Sequence, residues 1–515
     1  MVTTARAALP AVLTDWAADL RAGRIGAGGW DDGVEPSWAA SGAMELTGHP
    51  DGPPLGLTVP FVARLEAALT VVQTLAAELG HPFPPAAASS LAPASAGQLL
   101  GERAAALGLT RGGIRSAGRA ARLVRSADGW LAVNLARLDD VDLLPAWLEV
   151  ETLEPTAEDL ADDLRPVLER GAARPVRPWT ALAAAVAARP AVTLLERAEL
   201  LGLAVSRVVA PSAAATDEQA RARGQGFPFA PFLVDGRPPE AAARAVDPAG
   251  RPGRVAGLGP VRRPGPNRPG RADGAFTVVD LSSLWAGPLC GQLLGLAGGT
   301  VIKVEGAGRL DGAREGPADF YDMLHAGQAS VTVDLRTAAG RAALVRLIGQ
   351  ADIVLEASRP RALEALGIEP AAMIARSPWL TWVSITGYGR SGPWRQRPAF
   401  GDDAAAAAGA VAVDAAGDPV FLSDAVADPV TGVLAAAGAL ASLVAGGGHH
   451  LDVALREAVG SLLAGRPTLP DRDPAADAPV APPRLRAAPG RAARAGQDNA
   501  RLLAGPAGSD DSRRP

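Results

Sequence analysis

The amino-acid sequence predicts an α/β protein in which a large, doubly wound, mostly parallel Rossmann-like sheet is joined to a smaller α/β domain. The main observation is that short β-branched runs alternate with helical segments between residues 276 and 386. Such alternation favours right-handed crossovers between parallel strands. A second observation is composition: 48% of the 515 residues are apolar and 20% are charged, so most of the chain can bury a core.

The elements of the large domain follow from periodicity and from Gly and Pro positions. Buried strands are predicted at 276–283, 300–305, 331–335, 352–357 and 380–386. Helices are predicted at 287–299, 337–351 and 361–368. The second of these helices places Leu344, Leu347 and Ile348 on one face. Ligands of such sheets bind outside the carboxyl ends of the strands.

Three composition changes divide the chain. A Pro/Ala/Ser stretch covers 81–97, a Pro/Gly/Arg-rich stretch covers 247–274, and the chain after Arg466 is rich in Pro, Ala, Arg and Asp. The predicted units are a partial repeat with a helix and short strands at 1–95, a small α/β domain at 96–245, a linker at 246–274, the large domain at 275–465, and a mostly flexible tail at 466–515.

An internal repeat relates two distant segments. Residues 41–80 and 408–447 both read as a Gly, a short strand, a Gly/Asp/Pro turn, a second strand and a long Ala-rich helix. We call these segments the N-terminal repeat and the C-terminal repeat. The pattern indicates that part of a domain was duplicated.

Charge and residue usage exclude several classes of partner. The net charge of −5 gives no basic surplus for binding nucleic acid. One cysteine and five dispersed histidines predict no disulfide framework and no metal site. The uncharged stretch 430–448 is dominated by Ala and Gly and is interpreted as a buried helix, so no membrane partner is expected. The N-terminus has no apolar signal-peptide core, which predicts a cytoplasmic protein.

Four blocks resemble class III CoA-transferases of the carnitine and bile-acid type, which include formyl-CoA transferase. They are "VVDLSSLWAGPLCGQLLGLAGGTVIKVE", "ADIVLEASRPRALEALGI", "WVSITGYGRSGPWRQRPAF" and "HHLDVALREAV". The resemblance implies transfer of coenzyme A between carboxylic acids through an aspartyl-CoA thioester, with acyl-CoA as substrate and no permanently bound cofactor. It also implies an interlocked homodimer, and backbone N–H groups of Gly-rich turns that hold the oxyanion.

The family motif R-P-x-[FY]-D is altered at its aspartate. Arg397, Pro398 and Phe400 match, but Gly401 stands where the nucleophile is expected. Asp402 follows one residue later, which turns a helical side chain by about 100°. Asp402 is the predicted catalytic residue. The alternatives are Asp403 as nucleophile, or no nucleophile at all, with both aspartates capping a helix.

The resemblance implies contacts to coenzyme A at the turn Leu284, Trp285 and Ala286 and at Arg314 and Arg359. The arginine fork suits phosphate, and an indole ring can stack on adenine. Solvated loop arginines and an ordinary core tryptophan are the alternatives. Three basic or polar contacts of the family are missing, because Gln328, Gly306 and Ala357–Ser358 stand in their places.

Two other functions remain open from the sequence. A 2-methylacyl-CoA racemase would use Asp428 as one acid/base group, but Phe400 stands where its histidine is expected. A non-catalytic CoA-binding or scaffold subunit is favoured by Gly401 and by the missing basic contacts.

Overall fold

The computed structural model describes residues 11–22, 36–85, 90, 92–160, 176–235, 276–476 and 479–503. The predicted linker at 246–274 lies outside these residues. The strands are β1 (Ala121–Ser126), β2 (Gly129–Asn134), β3 (Ala204–Arg207), β4 (Leu233–Asp235), β5 (Phe276–Asp280), β6 (Gly299–Gly306), β7 (Ala329–Val333), β8 (Ile353–Glu356), β9 (Thr381–Thr386), β10 (Val411–Val413), β11 (Pro419–Phe421) and β12 (His450–Ala454).

The α-helices follow the predicted order. In the N-terminal half (residues 11–235) they are α1 (Ala11–Arg21), α2 (Pro36–Ala40), α3 (Phe61–Glu78), α4 (Ala96–Leu99), α5 (Glu102–Leu107), α6 (Leu144–Leu148), α7 (Trp179–Ala187), α8 (Ala191–Leu201), α9 (Pro211–Ala214) and α10 (Glu218–Ala222). In the C-terminal half (residues 276–503) they are α11 (Ala286–Leu296), α12 (Ala318–His325), α13 (Ala338–Gln350), α14 (Pro360–Glu364), α15 (Pro370–Arg376), α16 (Gly401–Ala407), α17 (Ala427–Val444), α18 (Leu455–Ser461) and α19 (Asn499–Leu502).

The large sheet confirms the predicted doubly wound fold. Its strand order is β4-β12-β9-β8-β5-β6-β7, and all pairs are parallel except β4 with β12. The chain runs outward from β5 to β6 and β7 on one side, and from β8 to β9 and β12 on the other, which is the Rossmann order. The crevice between the carboxyl ends of β5 and β8 is therefore the expected ligand site.

The smaller α/β unit is built by the N-terminal half. Strands β1, β2 and β3 form an antiparallel sheet, and α6, α7 and α8 cover it around the buried Trp147 and Trp179. The same half also adds β4 to the edge of the large sheet through pairing with β12. The two halves thus share one sheet.

The long helices of the two repeats pack against each other in one core with α11. Helices α3 and α17 each have 18 residues, as the repeat predicts. Helix α17 is long and apolar enough to cross a membrane, and 83% of that stretch is buried inside the protein. After Asp428 in its first turn the helix carries no charged residue, which fits this burial, because a charge there would have no partner.

The short strands of the repeat form only in the C-terminal copy. There β10 and β11 pair antiparallel, with Val411 opposite Phe421. In the N-terminal repeat, Met44–Leu46 is a 3₁₀ helix, and Leu55 makes a single bridge to Ala475. Pro53 and Pro54 stand where the second strand was expected, and proline supplies no N–H for a ladder.

The tail packs more closely than its composition predicts. Arg486 is buried and forms a paired ion contact with Glu102 of α5, with Nη2 of Arg486 2.8 Å from Oε2 of Glu102. Beyond it, Asp498 accepts the Ser330 N–H and Asn499 accepts the Thr332 N–H. The sequence predicts a mostly flexible tail, but at 479–503 the structure has a segment that polar contacts hold in place. These contacts fix the segment although it lacks apolar periodicity.

Replacing Arg486 by Met tests this anchoring. The change leaves Glu102 buried without its cation, so we expect the free energy of unfolding to fall by about 3–5 kcal/mol in a urea titration. The matched control is Arg484→Met at an exposed position, for which a change below about 0.5 kcal/mol is expected. Equal effects of the two variants would contradict a tail anchored at Arg486.

Candidate active site

The turn after β5 is fixed by the protein's single lysine. Lys303 of β6 is buried; its Nζ donates to the Ser282 carbonyl at 2.5 Å and to Asp311 Oδ2 at 3.0 Å. Asp311 Oδ1 in turn accepts the N–H of Leu284 at 3.0 Å. Leu284 has φ +71°, and its side chain is 46% exposed. This left-handed backbone is costly for a leucine and is held by the surrounding hydrogen bonds.

Asp402 and Asp403 both lie in the first turn of α16, but they face different neighbours. Asp403 is fully buried; its Oδ1 accepts the Phe400 N–H at 2.9 Å and the Asn134 amide at 3.0 Å. Asp403 is therefore a helix cap that faces the small sheet. Asp402, 5% exposed, accepts the Ala425 N–H at 2.9 Å.

Gly401 is enclosed by the loop before α17. A Cβ atom at this position would lie 2.4 Å from the Ala425 carbonyl oxygen and 2.6 Å from Oδ2 of Asp428. Gly401 begins α16. Its neighbours can approach this closely only because glycine has no side chain.

That loop is strained, and the N-terminal half holds it in place. Ser423 has φ +51° and Ala425 has φ +46°. The Ser423 N–H donates to Thr47 Oγ1 at 3.0 Å, and its hydroxyl donates to the Leu100 carbonyl at 3.1 Å. Such strain persists only where surrounding contacts over-determine it.

A carboxylate cluster forms around Arg103 of α5. Arg103 makes a two-pronged ion pair with the fully buried Asp424, with Nε 2.8 Å from Oδ2 and Nη2 bonded to Oδ1. Its guanidinium also lies 5.7 Å from the ring centre of Trp285. Asp402 and Asp428 lie near enough to this guanidinium that their negative charges raise the pKa of Arg103, after the effect of Asp424. We call Asp402, Asp424 and Asp428 the acid cluster.

Burial makes the site carboxyls unusually basic. It raises the pKa of Asp402 to about 6, with Asp424 adding to the effect and Arg103 and Ser116 opposing it. Burial raises the pKa of Asp428 to about 7, with Arg103 opposing it and the other two acids reinforcing it. At neutral pH the cluster therefore holds part of a proton, because one guanidinium cannot balance three ionised carboxylates.

Trp285 and Ala286 are buried parts of the site rather than open contact surfaces. Trp285 is 2% exposed and packs edge-on against Phe320, with ring centres 5.5 Å apart. The alternative of a core tryptophan is the one that fits, since its ring lies between Phe320 and Arg103. Ala286 begins α11, and Gly432 of α17 packs on its carbonyl oxygen.

The two predicted phosphate contacts differ in availability. Arg314 is paired with Glu305, whose Oε2 lies 2.6 Å from Nη2, and it also reaches the Ala493 carbonyl. Arg359 is half-buried at the start of α14, and among the described residues no acid pairs with it. Burial lowers its pKa, and the nearby cations Arg361, Arg137 and Arg309 lower it further. An anion would relieve this repulsion.

Two N–H groups of the Gly-rich turn after β9 are hydrogen-bonded within the fold. The Gly389 N–H donates to Thr386 Oγ1 at 2.9 Å, and the Arg390 N–H donates to the Asp452 carboxylate at 3.0 Å. These two N–H groups are therefore not free to hold an oxyanion.

Three residues of this site were missed from the sequence: Arg103, Ser116 and Asp424. Arg103 and Ser116 lie about 300 positions from the motif, so only the packing of the two halves brings them there. Asp424 stands four residues before Asp428, and that i, i+4 spacing was the one available signal. In the described part of the chain, no set of three acid, His or Cys side chains is arranged to hold a metal ion.

The family model described as CoA-transferase family III matches residues 275–498, which confirms the resemblance. The chain is 34% identical over 209 residues to succinyl-CoA–D-citramalate CoA-transferase of Chloroflexus aurantiacus, covering 38% of this chain and 52% of that protein. It is 31% identical to succinate–glutarate CoA-transferase of Agrobacterium fabrum, covering 39% and 54% respectively.

A third relative matches over a longer stretch. The chain is 28% identical over 299 residues to the probable CoA-transferase Rv1866 of Mycobacterium tuberculosis, covering 52% of this chain and 38% of that protein. The chain thus spans about half the length of the first two relatives and less of the third.

The cap residue Asp403 predicts a pH dependence of stability. Burial raises its pKa from 3.8 to about 8, so the folded state holds a proton that the unfolded state releases. Its contribution to stability is present below pH 4 and is lost as the pH rises to about 8, a span of a few kcal/mol at about 1.4 kcal/mol per pKa unit. Asp403→Asn should flatten the fall in unfolding free energy between pH 6 and 8.5, measured by urea titrations. A variant whose profile runs parallel to the wild type would show that Asp403 is ionised in the folded protein.

Proposed function

Because residues 275–498 belong to CoA-transferase family III, we propose that the protein transfers coenzyme A between carboxylic acids through a thioester formed on an aspartate of the acid cluster. The observation that carries this proposal is the position of the cluster. Its acids surround Arg103 beside Trp285, immediately after β5, and the crevice of a doubly wound sheet opens there.

The transfer needs a carboxylate nucleophile, and the overall reaction neither takes up nor releases a proton. The carboxylate oxygen attacks the thioester carbon of the acyl-CoA, the C–S bond breaks, and CoA leaves as a thiolate. The thiolate then attacks the aspartyl carbonyl of the mixed anhydride and releases the donor acid. The acceptor carboxylate reverses both steps. A raised carboxyl pKa helps here, because a more basic carboxylate is a stronger nucleophile.

The phosphates of CoA have a matching cationic region. Arg359 follows β8 directly, and Arg137, Arg309 and Arg361 lie near enough to lower its pKa. Arg137 comes from the N-terminal half and also donates to the Gly202 carbonyl at 2.6 Å. We propose that this group binds CoA phosphate, with Arg359 as its main contact.

Dicarboxylic acids are the first substrates to try. Two relatives are named for succinyl-CoA with D-citramalate and for succinate with glutarate. From the family resemblance we also propose a homodimer located in the cytoplasm, with no nucleic acid or membrane partner.

A non-catalytic CoA-binding subunit is the second candidate. The loss of the motif side chain at Gly401 favours it, as does the burial of Asp402. The two candidates differ in one outcome: a binding subunit takes up CoA without exchanging it.

The double variant Asp402→Asn/Asp428→Asn tests the covalent proposal. It keeps the side-chain volume but removes both carboxylates that face Arg103 beside Asp424, so we expect exchange of labelled succinate into succinyl-CoA to fall at least about 100-fold. Asp403→Asn is the matched control, because Asp403 only caps α16, and its exchange should stay near the wild-type rate. Undiminished exchange by the double variant would exclude covalent catalysis by Asp402 and by Asp428.

A further inference from the structure

One edge of the Arg103 guanidinium is not used within the fold. A guanidinium carries five N–H donors, which present two edges that can each grip a planar anion. Nε and Nη2 form one of these forks on Asp424, the only described residue to which Arg103 donates a hydrogen bond. The side chain is 29% exposed, and Nη1 has no acceptor in the described part of the chain although it is not enclosed. The fork at Nη1 is therefore open to a ligand.

The surroundings restrict the direction of this open fork. The ring centre of Trp285 lies 5.7 Å from Cζ of Arg103. Gly118 approaches so closely that a Cβ atom there would lie 2.8 Å from Nη2, which only glycine permits. Contacts with Trp285, Gly118 and Asp424 thus hold the guanidinium before any ligand arrives, and a preorganised group loses less entropy on binding.

The location of the fork indicates which anion it would take. Asp402 and Asp428 lie near enough to interact electrostatically with this guanidinium, so the fork opens beside the acid cluster. The phosphates of CoA have a separate cationic region around Arg359. Of the other anions in the transfer, the thiolate offers a single sulfur atom, whereas a carboxylate offers two oxygens that match a guanidinium fork.

We propose that Arg103 binds the reacting carboxylate, holding the donor acid as it leaves and the acceptor acid as it arrives. This inference rests on the proposed CoA transfer. Both acids react at the same aspartyl carbonyl carbon, so one carboxylate site serves both. The N-terminal half then supplies a substrate-binding residue to the site, in addition to the contacts that hold the loop before α17.

The charge of the acid cluster allows a further carboxylate to enter. Burial raises the pKa of Asp402 to about 6 and that of Asp428 to about 7, so part of a proton is retained at neutral pH. When one of these two aspartates carries CoA, it is a neutral thioester. Arg103 then faces Asp424 and at most one other ionised acid, and an incoming carboxylate meets less repulsion than in the free protein.

In the proposed step, an oxygen of the acceptor carboxylate held by Arg103 bonds to the aspartyl carbonyl carbon. The C–S bond breaks, and its electron pair leaves with sulfur as CoA thiolate. The thiolate then bonds to the acyl carbon of the mixed anhydride, and the bond from that carbon to the aspartate oxygen breaks. The products are the acceptor acyl-CoA and the original aspartate carboxylate, with no proton gained or lost.

Arg103→Lys tests this role in the full-length protein, because lysine keeps a cation beside Asp424 but has no fork. Exchange of labelled succinate into succinyl-CoA is measured while each substrate is varied in turn. We expect the KM for succinate to rise at least about 10-fold, and the KM for succinyl-CoA to change less than about 2-fold.

Arg111→Lys is the matched control. Arg111 also belongs to the N-terminal half, but it donates within the fold to the Glu45 carboxylate and to the carbonyls of His49 and Gly52. Both KM values of this variant should stay near those of the wild type.

A second readout separates binding of the acid from formation of the thioester. Hydroxylamine is a neutral nucleophile, so it attacks an aspartyl thioester without a cation to hold it. It releases CoA and leaves an aspartyl hydroxamate on the chain, which mass spectrometry detects after incubation with succinyl-CoA. We expect Arg103→Lys to reach the same final extent of trapping as the wild type.

The outcomes distinguish this inference from the proposed function. A lower kcat with an unchanged KM for succinate in Arg103→Lys would overturn the inference and leave CoA transfer standing, as would an equal rise of that KM in Arg111→Lys. Wild-type protein that neither exchanges succinate nor traps a hydroxamate would overturn both.

A measurement on the wild type decides the question if Arg103→Lys fails to fold. In a crystal structure with CoA and succinate, we expect a succinate carboxylate within hydrogen-bond distance of Nη1 of Arg103. Succinate bound in the site without contact to Arg103 would overturn the inference.

Discussion

The structure depends on the ion pair between the half-buried Arg103 and the fully buried Asp424. It joins α5 of the N-terminal half to the loop before α17 of the C-terminal half, and it places a fixed cation among three carboxyl groups. A buried charge without its partner is strongly destabilising, so the fully buried Asp424 ties this loop to Arg103 of the N-terminal half. The contacts of Thr47 and Leu100 to Ser423 act in the same direction. The N-terminal half is thus a structural part of a site whose motif lies in the C-terminal half.

The same arrangement explains why an altered motif is compatible with an organised site. Burial and the excess of acids over cations raise the pKa of Asp402 to about 6 and that of Asp428 to about 7. The cluster therefore retains part of a proton near neutral pH. Glycine at 401 lets Asp428 approach α16 closely, because a Cβ there would lie 2.6 Å from Oδ2 of Asp428.

Much of the fold could be predicted from the sequence, because alternating strands and helices have a strong local signature. The parallel strands, the buried face of α13 with Leu344, Leu347 and Ile348, and the paired long helices α3 and α17 are of this kind. The site was harder, because its members are far apart in the chain. Periodicity cannot show that Arg103 meets Asp424, that Glu305 occupies Arg314, or that prolines remove the strands of the N-terminal repeat. Nor could it separate the roles of adjacent Asp402 and Asp403, since which way each faces depends on tertiary packing.

The most direct test of this account is a crystal structure of the full chain with coenzyme A bound. The account predicts the phosphates at Arg359 and the thiol sulfur in contact with a carboxylate of the acid cluster, with Arg103 still paired to Asp424. Coenzyme A bound away from the crevice between β5 and β8, or a thiol that contacts none of the acid cluster, would contradict it.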